Sequence, residues 1–131
     1  MRDLTDVLYP IELAVLREWE REPSLIDLEV ADVFDALARR YTLEDRGESA
    51  RPVRLTPKGE RLHDAVFDVA EAAAGRRPPP EEEGPVPFRT DVTPAELAAC
   101  FKRLSRSVAT WSERGGRQGY LEYINEFVPR H

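Results

Sequence analysis

The sequence predicts a mainly helical protein, on three observations. Apolar residues recur at three- and four-residue spacing in five stretches. Threonine-proline pairs of the kind that start helices occur twice, at Thr56-Pro57 and Thr93-Pro94. Glycine or proline closes most of the stretches, as at Pro23, Gly75 and Gly115-Gly116.

In chain order, Pro10 suits a first helical position, because its backbone angle is already helical and its missing N–H has no partner there. Leu8, Ile11, Val15 and Trp19 give that helix one apolar stripe, which ends before Pro23. Ser24 and Asp27 form a second start, the hydroxyl serving as cap and the acid favouring the positive end of the helix dipole. The helix they open reads without a break over residues 24–43. Ile26, Val30, Val33, Phe34, Leu37 and Tyr41 line one side of it, and Asp27, Asp32, Asp35 and Arg39 fall on the others. Residues 44–52 are polar, contain Gly47 and Pro52, and read as a loop before a short extended piece, Val53-Arg54-Leu55. A third helix follows Thr56-Pro57, with Leu62, Ala65, Val66, Val69 and Ala73 as its stripe.

Residues 76–92 hold five prolines and a glutamate run with few apolar residues, so an extended spacer is expected there. Thr93-Pro94-Ala95-Glu96 then combines cap, first-turn proline and an acid at the third helical position. Leu97, Phe101, Leu104, Val108 and Trp111 follow as a seam of two heptads. Gly115-Gly116 ends this helix, and Tyr120, Leu121, Ile124, Phe127 and Val128 mark a short last one. Three parts are expected: a core at 1–75, a spacer at 76–92 and a helical pair at 93–131.

The chain has 131 residues, of which 41% are hydrophobic, enough for one modest core. Its one cysteine, Cys100, forms no internal disulfide and fits a reducing compartment. The start Met1-Arg2-Asp3-Leu4-Thr5-Asp6 carries acids where a secretory signal needs a basic start and an apolar run, and no stretch has the length of a membrane span. A cytoplasmic protein without membrane contact is expected. The net charge of −6 is laid out in blocks: −7 over residues 1–35, +3 over 36–61, −5 over 62–100 and +3 over 101–131. Alternating blocks suit segments that dock on each other or on a second copy.

Glu44-Asp45-Arg46, followed by Val53-Arg54-Leu55-Thr56-Pro57-Lys58-Gly59, resembles the wing and following helix of winged-helix repressors of the MarR and PadR types. The resemblance implies a winged-helix-like core with a short β wing. It also implies that Arg46 approaches DNA, with Arg51, Arg54 and Lys58 as phosphate contacts. The helix before the wing instead carries Asp27, Glu29, Asp32 and Asp35, and carboxylates facing phosphates weaken a contact dominated by charge neutralisation. Gly116-Arg117-Gln118-Gly119 similarly resembles the glycine loop with which KH domains clamp a nucleic-acid backbone, near Lys102, Arg103 and Arg106. Helix termination accounts for Gly116 more simply.

No enzyme, cofactor or metal is expected. Glu60 and His63 sit three apart on one helix, as a carboxylate-bridged metal site requires, but no second pair matches them. Cys100 neighbours the apolar seam and has no histidine near it in sequence, which suits a buried thiol better than a nucleophile. The expectation is therefore a non-enzymatic interaction or regulatory module. Its helical pair would dock through the seam Leu97, Phe101, Leu104, Val108 and Trp111 on the 1–75 core or on a second subunit, and a homodimer is expected, since an apolar face of that size is rarely left bare. The alternative is a DNA-binding regulator working through the basic loop.

Overall fold

The computed structural model describes residues 4–79 and 88–127, apart from the side chains of 124–127. Five helices follow one another: α1 (Thr5–Arg21), α2 (Asp27–Asp45), α3 (Pro57–Ala73), α4 (Pro94–Ser112) and α5 (Arg117–Phe127). The mainly helical class is as expected. The β wing is not: no strand occurs among the described residues, and Val53-Arg54-Leu55 runs as irregular chain. One short alternating piece has no second strand to pair with among the described residues.

Helix α1 starts five residues before Pro10, which lies inside it. An internal proline removes one backbone hydrogen bond and costs about 3 kcal/mol relative to alanine. Burial of Leu4, Val7 and Leu8 against the core offsets that cost. The Leu4 carbonyl accepts from the N–H groups of Val7 (3.0 Å) and Leu8 (2.9 Å), so the helix is begun by packing and not by a side-chain cap.

The start of α2 also differs in detail. Ser24 donates its hydroxyl to the Glu22 carboxylate, and the cap position falls to Ile26, whose N–H donates to Glu29 Oε1 at 3.1 Å. The helix then runs unbroken to Asp45. It closes with Gly47 in the left-handed region (φ 76°), the Gly47 N–H on the Glu44 carbonyl at 2.9 Å and the Glu48 N–H on the Leu43 carbonyl at 2.8 Å. Helix α3 ends the same way at Gly75.

Both threonine-proline starts form as read. Thr56 Oγ1 accepts from the Gly59 N–H at 3.0 Å. Thr93 Oγ1 accepts from the Glu96 N–H at 3.2 Å while Glu96 Oε1 accepts from the Thr93 N–H at 3.1 Å, a reciprocal capping box. The threonine-x-x-glycine pattern of residues 56–59 is thus a helix cap, and it needs no wing to explain it.

The core is a single cluster to which all four longer helices and Tyr120 of α5 contribute. Helix α4 makes its largest contact with α2, α1 packs on α3, and α5 lies across α4 and α1. The described flanks of the expected spacer belong to this fold. Arg76 bridges Glu44 (2.7 Å) and Glu71 (2.6 Å), Arg89 reaches Asp6 at 3.2 Å, and the buried Val92 donates its N–H to the Ala73 carbonyl at 3.0 Å. Residues 80–87, Val128, and the side chains of Ile124 and Phe127 lie outside the described residues.

Candidate interaction surface

The α4 seam does not form an outer face. Leu97, Phe101, Leu104 and Trp111 are fully buried, and Val108 is half-buried against the same cluster. Phe101 lies 5.9 Å from the Tyr41 ring, nearly parallel to it, and 6.4 Å from Phe34. Of the two occupants expected for the seam, the chain's own helices cover it: α2 against Phe101, and Trp19 of α1 with Tyr120 of α5 against Trp111.

Among the described residues, the large hydrophobic side chains left exposed are Ile26 (54%), Leu28 (66%) and Val53 (46%). Leu28 lies on the outer side of α2, and Val53 lies beside that side. Leu28, Asp32, Asp35 and Arg39 follow at steps of four, three and four along α2, all exposed, so they form one outward stripe. The loop before α3 runs beside that stripe: the Thr56 hydroxyl meets the Glu29 carboxylate, and Val53 and Arg54 join Asp32, Asp35, Ala36 and Arg39 around an open groove of about 270 Å³. Asp27 and Asp35 accept from Ser112 and Ser105, which ties the acidic side of α2 to α4.

The four basic residues assigned to nucleic acid do not converge. Arg46 caps the C-terminus of α2, and Arg51 stands exposed in the loop. Arg54 is beside Asp32 and Asp35, where carboxylates compete with any phosphate. Lys58 is half-buried in the first turn of α3 and, with Arg61, helps the Ser24 hydroxyl hold the Glu22 carboxyl below its ordinary range. A second open depression, of about 350 Å³, is lined by Glu18, Arg21, Glu22, Arg61 and Asp64. Its charges are mutually paired, Arg21 with Glu18 at 3.2 Å and Arg61 with Glu22 at 3.6 Å.

Gly119 lies inside α5, where a Cβ would stand 1.9 Å from the Trp111 carbonyl oxygen. It is a contact point between helices and not part of a phosphate-clamping loop. His63 is half-buried, stacked on Phe67 at 5.9 Å and 3.4 Å from Asp64, while Glu60 is exposed. Among the described residues no three ligand side chains gather as a metal site would need. Cys100 is buried, and burial, with Glu96 adding to it, pushes its thiol up to about 12, far from a reactive thiolate. No helix is long and apolar enough to cross a membrane among the described residues.

Sequence reasoning missed Glu12. It is fully buried in α1, and neither carboxyl oxygen receives a donor in hydrogen-bonding geometry. Burial pushes its carboxyl up to about 8, with the Tyr123 hydroxyl and the Arg103 guanidinium pulling weakly the other way. The signal was present: Glu12 is four residues after Leu8 and three before Val15, on the apolar stripe itself.

Compared with known protein families, with curated proteins and with solved structures, the chain matches none.

Proposed function

We propose that this chain is a non-enzymatic interaction module that self-associates through the outer face of α2 and its adjoining loop, in place of the α4 seam. The observation that carries this reading is that exposed Val53 lines one open groove with Asp32, Asp35 and Arg54, while exposed Leu28 lies one helical turn before Asp32 on the same stripe of α2. Exposed apolar side chains set in a charged rim are the composition of a modest, reversible interface. A second copy fits its charge. Helix α4 exposes Lys102, Arg103 and Arg106, and a twofold pairing sets the acids of one copy against the bases of the other.

Sedimentation velocity over a micromolar concentration series tests this. Wild type is expected to associate more weakly as salt rises, and Leu28→Glu, at an exposed site that leaves the core intact, is expected to sediment as a monomer. A wild-type monomer at every concentration, or equal association of Leu28→Glu, would overturn the reading.

The second reading is a regulator that binds DNA through its basic loop, favoured by the exposure of Arg46, Arg51 and Arg54 within one stretch. It requires duplex binding that falls steeply with salt and disappears when the three arginines become alanine together. A duplex that never shifts at low salt removes it.

A further inference from the structure

Among the described residues, Glu12 is the acidic or basic side chain that is fully buried. Glu12 lies under α5: the Tyr120 hydroxyl donates to the Glu12 backbone carbonyl at 2.9 Å, and the half-buried Tyr123 comes down beside the carboxyl. Trp19, Trp111 and Tyr120 pack together next to it with ring centroids 5.1–5.7 Å apart. The Trp111 indole N–H is buried there without a hydrogen-bond partner among the described residues. The titratable and charged groups acting on the carboxyl are Tyr120 and Tyr123 of α5 and Arg103 of α4. Both tyrosines are themselves driven toward the neutral phenol, first by burial and then by Glu12, so Arg103 is the one cation among them.

We infer that Glu12 is a proton-dependent latch for α5: the helix closes over the protonated carboxyl, and loss of that proton releases α5 and admits water to the pocket of Trp19 and Trp111. Of the elements around Glu12, α5 is the one that yields most easily. It has 11 residues, a length at which an isolated helix is marginal, and it touches α1 and α4 far less than α2 and α4 touch each other. Its hold rests on Tyr120, Tyr123 and the close seat of Gly119 on the Trp111 carbonyl.

The direction of the effect follows from linkage. The closed state holds the proton more tightly than the open, hydrated state, whose carboxyl titrates near the ordinary value of 4.5. Opening therefore becomes easier as pH rises from that value to about 8, by up to about tenfold per pH unit, and levels off above it. Below the ordinary value the latch is fully closed.

Hydrogen exchange of the full chain, corrected for intrinsic base catalysis, reads this opening helix by helix. In wild type the opening constant of α5 amides is expected to rise between about pH 5 and about pH 8. In Glu12→Gln it is expected to stay flat, with α2 amides unchanged in both proteins. His63 is present in both and cancels in the comparison. A flat wild-type profile, or the same slope in Glu12→Gln, would overturn the proposal. Infrared spectroscopy supplies a check that does not depend on the variant's stability. A protonated-carboxyl band is expected to persist in wild type at neutral pH, and its absence would show that Glu12 is already ionised in the closed state and sink the latch.

Discussion

Helix α4 has two neighbours of opposite character. Toward α2 it presents Leu97, Phe101 and Leu104, with Phe101 stacked on Tyr41 and tilted against Phe34, and the polar groups at that border meet in pairs, Ser105 with Asp35 and Ser112 with Asp27. Toward α1 and α5 it presents Trp111 against Trp19 and Tyr120, an equally aromatic contact that encloses an indole N–H without a partner among the described residues and the Glu12 carboxyl, with the Tyr123 hydroxyl beside it. Apolar area is comparable in kind on the two sides. What differs is whether the polar groups caught in the contact are satisfied, and an unsatisfied buried group costs about 1–3 kcal/mol. The first contact is built to persist, and the second to depend on conditions.

The largest expected effect breaks the first contact. Phe101→Ala removes the ring that α2 packs around and is expected to cost about 3–5 kcal/mol, read as a lower denaturant midpoint at which helix content and tryptophan emission fall together. A loss confined to tryptophan emission would mean that α2 and α4 do not form the central contact. Gly119→Ala strikes the second contact alone. The added methyl has no room against the Trp111 carbonyl, so α5 is expected to unseat at a cost of about 2 kcal/mol, with faster exchange in α5 and unchanged protection in α2. Uniform loss of protection in both helices would erase the distinction between the two contacts. The smallest effect sharpens the comparison at the shared helix: Thr93→Ala removes the cap of α4 and is expected to lower global stability by about 1 kcal/mol without favouring either side.

Elements with a local cause were legible in the sequence. Thr56-Pro57, Thr93-Pro94-Glu96 and Gly75 specify caps and stops through atoms within four residues, and each stands where it was read. Features that depend on distant contacts were not. Pro10 resembled a helix start because its local preference is strong, yet burial of Leu4, Val7 and Leu8 carries α1 past it. Val53-Arg54-Leu55 alternates like a strand, but strand formation needs a partner that the fold does not offer. The seam at Leu97, Phe101, Leu104, Val108 and Trp111 is apolar as read, while the sequence left its occupant open between the chain's own core and a second subunit. Spacing shows that a face must be covered and says nothing of which helix covers it. The grouping of Asp32 and Asp35 with Val53 and Arg54 joins residues far apart in sequence, so periodicity alone could not reveal it.

The described ends of the segment between α3 and α4 meet at one place. The Val92 N–H meets the Ala73 carbonyl, and Gly75 lies so close to Thr90 that a Cβ there would sit 2.8 Å from its carbonyl oxygen. The covalent connection between α3 and α4 therefore contributes little to how those helices are held, because the contacts at its base already fix both ends. Its length is free to change at low cost, since doubling a loop adds only about 0.6 kcal/mol of closure entropy. Two separate polypeptides divided within it would retain the matching surfaces of α2 and α4 and could reassemble as a complementing pair.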